Sequence, residues 1–186
     1  VPGSDVTIEN VGINETRSGI IDVIRAMNGK ITLVNERYFG GEPVADLHIQ
    51  YTKDLVATTI EGDMIPRLID EIPILALLAT RAKGITVIKD AEELKFKETN
   101  RIDVTVNQLK AIGAQIKSTD DGMIITGQPE GSFNQASVSS HKDHRIAMML
   151  CVASLLIDEP LIIEDVESME ISYPDFLKHL NVLLGN

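Results

Sequence analysis

The chain has 186 residues, 44 % of them hydrophobic, and a formal net charge of −11. That is enough for one ordinary domain or two small ones around a real core. The acidic balance argues against a nucleic-acid binder, which needs a basic face to neutralise phosphates, but it leaves room for a small anion in a local cationic pocket.

In chain order, a short strand "VTIENVG" starts at Val6, and a helical pattern follows in "RSGIIDVIRAMNG". Two strands come next, "KITLVNE" from Lys30 and "ADLHIQYT" from Ala45, and then the strongly apolar helix "LIDEIPILALLATRA". The strand "ITVIKDAEEL" begins at Ile85. The helix "NRIDVTVNQLKAIG" has apolar residues at Ile102, Val106, Leu109 and Ile112 and a terminating Gly113. The strands "AQIKST" and "GMIITG" flank an Asp-Gly turn, which is hairpin chemistry. A second apolar helix, "DHRIAMMLCVASLL", precedes the strand "LIIEDVESM" and a last helix in "YPDFLKHLNVLLG". No segment is low in complexity, long enough and apolar enough to span a membrane, or patterned as a signal peptide, so a cytoplasmic location is expected. The single cysteine, Cys151, lies in an apolar run and excludes an internal disulfide.

Three of these strands, from Val6, Ile85 and Leu161, end alike in an acidic-polar turn and lead into a helix. The spacing is roughly 75–80 residues, which fits a βαβ-type unit with extra strands. In the first two repeats a glycine shortly after "IRAM" or "LKAI" signals a helix end. The expected fold is α/β (α+β): repeated β-α-β-α-β-β units whose buried helices pack in the middle. Residues 1–186 read as a single domain of about two and a half repeats, its last repeat stopping after one helix. The opening residue is Val1, directly before a strand, so the chain reads as a piece of a longer protein whose remaining strands lie elsewhere.

Three clusters carry candidate chemistry. In "LKFKETNRID", Lys97, Glu98 and Arg101 stand where a helix begins, although cations are disfavoured at the positive end of a helix dipole. In "SSHKDHRIAMM", Lys142, His144 and Arg145 repeat that anomaly, with Ser139 or Ser140 as the expected cap and Asp143 in the first turn. Either cluster alone also reads as a solvated charge patch. An anion at such a helix start is bound by the dipole and free N–H groups, and flanking cations then strengthen it. In "LIDEIP", Asp70 reads as a helix N-cap or as a carboxylate that accepts a proton from a hydroxyl. Superposing the repeats places Asp70 on or beside Arg145, so all three helix starts are expected to face one space. The four histidines lack metal-ligand spacing, and no phosphate loop, dinucleotide fingerprint or nucleophile elbow is present. Neither a metal nor a cofactor is expected.

Together, in order, "LIDEIPILALLAT", "LKFKETNRID" and "SSHKDHRIAMM" resemble the C-terminal half of the EPSP synthase (5-enolpyruvylshikimate-3-phosphate synthase) family, and the resemblance runs on through "SYPDFLKHL". It implies two domains, each of three such units, with the active site in the cleft between them; this chain corresponds to the C-terminal domain, without its N-terminal partner domain. It implies transfer of the enolpyruvyl group of phosphoenolpyruvate to the 5-hydroxyl of shikimate 3-phosphate, a step of aromatic amino acid biosynthesis, with both substrates anionic. Carried over by position, Asp70 corresponds to the shikimate-hydroxyl partner and proton acceptor, and Lys97 to a substrate-contacting lysine that takes part in proton transfer. Glu98 corresponds to the acid that protonates the methylene carbon. Arg101 and Arg145 correspond to clamps for the phosphate and carboxylate of phosphoenolpyruvate, and His144 to a supporting histidine. Two positions depart from many members: Ile171 stands where they carry a lysine, and Glu93 where some carry an asparagine. The resemblance also implies that the chain alone folds without appreciable transferase activity. The rivals are the UDP-N-acetylglucosamine enolpyruvyl transferases, whose corresponding segments lack "KETNR" and "DHRIAM", and a non-catalytic binding module of the same repeat.

Overall fold

A computed structural model describes residues 1–185. The first sheet holds β1 (Asp5–Gly12), β2 (Lys30–Phe39) and β3 (Glu42–Gln50), with α1 (Gly19–Ala26) between β1 and β2. Its order is β1-β3-β2, antiparallel throughout. The second sheet comprises β4 (Thr59–Ile60), β5 (Ile85–Ile88), β6 (Gln115–Ser118) and β7 (Met123–Thr126), interleaved with α2 (Ile72–Ala79) and α3 (Arg101–Ala111). Its order is β4-β5-β7-β6, with β4 parallel to β5 and the other pairs antiparallel. The third is a parallel pair, β8 (Ser137–Ser139) and β9 (Ile162–Glu164), connected through α4 (His144–Ala153) and followed by α5 (Phe176–Leu183).

The repeat is real, but its start lies elsewhere than the sequence pattern placed it. Residues 59–126 form one whole β-α-β-α-β-β unit that begins at β4, not at the strand from Ile85. The first sheet repeats the β5-β7-β6 part of that wiring, and β8–α4–β9–α5 repeats its opening half. The strands β4 and β8, two and three residues long, are too short to leave an alternation pattern.

Packing follows composition. Six of the eight residues of α2 are buried, among them Ile72, Leu75 and Leu77, as expected for a helix apolar on every side. It packs against α3 and α4, which turn Ile102, Val106, Leu109 and Ile146, Met149, Leu150 into the same core. Each fully buried aliphatic side chain contributes about 1.5–3 kcal/mol. Gly113 takes φ 101° after α3, as a C-terminal glycine should, whereas after α1 it is Asn28 (φ 64°), not Gly29, that adopts the left-handed conformation. The β6–β7 hairpin closes on the Asp-Gly turn, with Thr119 N–H donating to Gly122 O at 2.9 Å.

Both outer strands of the first sheet bulge against the middle of β3, around Asn10 and Asn35, each at positive φ. Asp46 holds both bulges. Its carboxylate accepts from Asn10 N (2.8 Å), Asn35 Nδ2 (2.8 Å) and Arg37 Nη2 (3.0 Å). Among the described residues no helix is long and apolar enough to cross a membrane.

Candidate active site

The N-terminal ends of α2, α3 and α4 converge. The 3-10 turn Ile69–Glu71 leads into α2, Arg101 is the first residue of α3, and His144 and Arg145 open α4. The convergence appears as direct contact. Asp70 Oδ1 accepts from Arg101 Nη1 at 3.2 Å, and Arg145 Nη2 lies 3.3 Å from Asp70 Oδ2. The superposition of repeats had placed Asp70 beside Arg145, and they touch across 75 residues of chain.

Local chemistry sets each helix start. Asn100 caps α3, accepting from Asp103 N at 3.3 Å and returning Nδ2 to Asp103 Oδ2 at 2.7 Å, a reciprocal pair like a capping box. Lys97 therefore lies before the helix in extended backbone, and only Arg101 sits in the first turn. The cap of α4 is Asp143, not Ser139 or Ser140; its Oδ1 accepts from Arg145 N at 3.0 Å. Ser140 instead binds Asp165 O and faces Ser168. Asp70 is not a cap either. It lies in the 3-10 turn, and Glu71 holds the cap position of α2 without a side-chain cap bond. The Asp70 carboxylate is left for the guanidiniums.

Arg101 is the hub, and it is 1 % exposed. Asp143, fully buried, accepts from Arg101 Nε at 2.8 Å and Nη2 at 3.3 Å, and Thr99 Oγ1 adds a third donor at 3.1 Å. Arg101 Nη2 also reaches Glu98 Oε2 at 2.5 Å. Three carboxylates therefore surround one buried guanidinium, which offsets its desolvation by charge-assisted hydrogen bonds. The residue expected as a clamp is thus already paired: a ligand anion reaches Arg101 only when Asp70 or Glu98 gives way. Glu98 also stands 3.7 Å from His144 Nδ1. Lys97, partly exposed, pairs with Glu93, so the residue that departs from the family pattern occupies the ammonium here. Ile171, at the end of the 3-10 turn Val166–Ile171, is 82 % exposed.

Two contributions were missed in reading the motifs. Arg17, from the loop between β1 and α1, places Nη2 3.4 Å from Asp70 Oδ2 and 3.9 Å from Glu71 Oε1. Asp143 had been assigned only to the first turn of α4. Its position just before His144-Arg145 is a cap signature that the sequence did contain; Arg17 left no local signal, being a contact across 53 residues.

Burial pushes the Asp70 carboxyl upward, but Arg145, Arg17, Arg101 and Lys97 together outweigh it and hold it below the ordinary carboxylate range. Asp143 behaves alike: burial raises it, and the Arg101 hydrogen bond and charge, the Arg145 N–H and Thr99 bring it below the usual value. The site thus offers an ionised carboxylate at its centre, a second carboxylate beside a histidine, and two partly exposed cations, Lys97 and Arg145. Such a set orients a hydroxyl, exchanges protons and binds anions.

Residues 1–180 match the family profile described as EPSP synthase (3-phosphoshikimate 1-carboxyvinyltransferase). A 3-phosphoshikimate 1-carboxyvinyltransferase of Staphylococcus epidermidis is 53 % identical over 182 residues, covering 98 % of this chain and 41 % of that protein. A Staphylococcus aureus protein of the same name shows the same identity over the same length. The chain thus spans about two fifths of the length of the curated relatives it matches. An EPSP synthase structure from Acinetobacter baumannii superposes with a TM-score of 0.93 at 39 % identity, covering 97 % of this chain and 42 % of that one. The enolpyruvyl transferase NikO from Streptomyces tendae superposes with a TM-score of 0.76 at 19 % identity, a likeness of fold alone, covering 97 % of this chain and 39 % of that one.

Proposed function

This chain belongs to the EPSP synthase family, and on that premise we propose that it forms one wall of an active site that transfers the enolpyruvyl group of phosphoenolpyruvate to the 5-hydroxyl of shikimate 3-phosphate. The carrying observation is the Asp70 carboxylate at the meeting point of three helix starts, flanked by Arg17, Arg101 and Arg145. In this reading residues 1–186 are the C-terminal domain of a two-domain enzyme, and the opposing wall comes from an N-terminal domain.

The chemistry needs two proton movements. The 5-hydroxyl adds to C2 of phosphoenolpyruvate as its methylene carbon takes a proton and becomes a methyl group. Loss of a proton from that methyl then expels phosphate and restores the double bond. Asp70 accepts the hydrogen bond of the attacking hydroxyl. Because its pKa is held low, it orients the nucleophile as much as it removes the proton. Glu98, beside His144 and anchored by Arg101, exchanges the proton with the methylene carbon. Lys97 and Arg145, partly exposed, receive the anionic groups once their own carboxylate partners yield; Arg101 sits beneath and fixes both acids. Fixed cations hold two mutually repelling anions in contact, which is where much of such a rate enhancement arises. A cytoplasmic setting goes with this reading, and the one cysteine is buried with its thiol pushed up by burial.

The test is a chimera. The chain replaces the matching segment of the Staphylococcus epidermidis relative, and phosphate release from phosphoenolpyruvate is measured with and without shikimate 3-phosphate. Release that depends on shikimate 3-phosphate and falls at least a hundredfold in Glu98→Gln is expected, the ordinary scale for a lost acid–base group being about 10²–10⁴-fold. A folded chimera without release overturns the proposal.

A further inference from the structure

Asp70 is held at its two oxygens by different kinds of partner. Oδ1 accepts from Arg101, which is buried and fixed from behind by Asp143. Oδ2 faces Arg145 at 3.3 Å and Arg17 at 3.4 Å. The same two arginines approach Glu71 Oε1, each at 3.9 Å, so they brace the Asp70–Glu71 turn from opposite elements. A surface pair in isolation counts for little, and the Arg17 side chain is 55 % exposed. Its backbone, however, is tied down. Asn14 caps the loop turn, accepting from Thr16 N at 3.0 Å, and its Nδ2 donates to Glu42 of the first sheet at 3.1 Å. From the other side Arg67, three residues before Asp70, donates to Glu15 O at 2.6 Å and to Asp22 at 2.7 Å. The loop that presents Arg17 is therefore stitched to the segment that presents Asp70.

Resting on the function proposed above, we infer that Arg17 is a positioning residue for the reaction: it holds Asp70 oriented and ionised while Arg145 is engaged by an anionic substrate. The two arginines share one oxygen, and only one of them opens α4, where the anion site lies. When Arg145 turns to the substrate, Oδ2 loses an ion-pair partner and the space beside it opens for the incoming hydroxyl. Arg17, outside the helix starts, remains on that oxygen. Without it, the carboxylate would depend at that moment on Arg101 and the more distant Lys97 charge, against burial and its neighbours Glu71, Glu98 and Asp143, all of which favour the protonated acid.

The test is a pH titration of side-chain carboxyl carbons by NMR on the 186-residue chain, in wild type, Arg17→Gln and Arg17→Lys. Asp46, in its own network on the first sheet, is the internal reference. The expected result is an upward move of the Asp70 midpoint in Arg17→Gln, largely restored in Arg17→Lys, with Asp46 unmoved. In the active chimera the acid limb of the kcat/KM profile shifts in the same order, with KM for phosphoenolpyruvate little changed. An Asp70 midpoint identical in all three proteins overturns the inference. So does a joint move of Asp70 and Asp46, which marks a general loosening instead of a specific contact. An inactive chimera with the expected midpoints would refute the proposed reaction while leaving the Arg17–Asp70 contact standing.

Discussion

Replacing Asp143 with alanine removes the residue that holds the site together. The carboxylate is fully buried and accepts from Arg101 Nε and Nη2, from Thr99 Oγ1 and from Arg145 N. Deleting one partner of a buried pair leaves the other charge uncompensated and costs about 3–5 kcal/mol. Arg101 keeps Asp70 and Glu98, so the low end applies, and loss of the α4 cap adds about 1 kcal/mol. The sum, about 4 kcal/mol, is a large share of the 5–15 kcal/mol typical of a whole domain. Asp143→Asn separates the two parts. Asparagine caps as well as aspartate, so only the ionic loss remains, about 3 kcal/mol. Urea unfolding followed by far-UV circular dichroism suits a chain without tryptophan. With a slope of about 2 kcal/mol/M, the midpoint falls by about 2 M for alanine and about 1.5 M for asparagine. An alanine variant within about 0.5 kcal/mol of wild type would refute the reasoning, since that is the range of an ordinary surface substitution.

Gly127→Ala should destabilise by about 3 kcal/mol or more in the same assay, because the new Cβ would stand 1.6 Å from the Ala82 carbonyl oxygen, which is backbone and has little room to move. Wild-type stability in this variant would mean that the chain after β7 does not lie against the Ala79 and Ala82 carbonyls at the end of α2. Asp46 is lowered to about 2 by the hydrogen bonds from Asn35, Asn10 and Arg37. A depressed carboxyl contributes fully above its unfolded value of about 3.9, and that contribution is lost as pH falls through its folded value. Asp46→Asn should therefore flatten the pH dependence of the urea midpoint between about pH 4 and pH 2; parallel curves for variant and wild type would contradict the double-bulge network.

How much was legible beforehand follows from the range of each interaction. The helices announced themselves because Ile102, Val106 and Leu109 recur at helical spacing and α2 is apolar on all sides. Periodicity also revealed the repeat, and through it the meeting of Asp70 with Arg145, since equivalent helix starts in a repeated unit share an edge. The unit boundary was not legible, because β4 and β8 are too short for alternation to show. Helix caps were misassigned where several capping residues compete: in Ser139-Ser140-His141-Lys142-Asp143 three side chains qualify by type, and only the backbone places Asp143 at the cap. Burial of Arg101 was hidden for a different reason. A guanidinium reads as surface unless its counter-charges are known, and two of them, Asp70 and Asp143, come from other elements.

The most direct measurement is an amide NMR titration of this chain with shikimate 3-phosphate and with phosphoenolpyruvate, each added separately. Weak binding is expected, because the cations are already paired with carboxylates and, in the function proposed above, the other wall of the site belongs to a second domain, with shifts centred on Asp70, Lys97, Arg101 and Arg145. Shifts confined to the first sheet or to α5, with the three helix starts silent at saturating ligand, would contradict it.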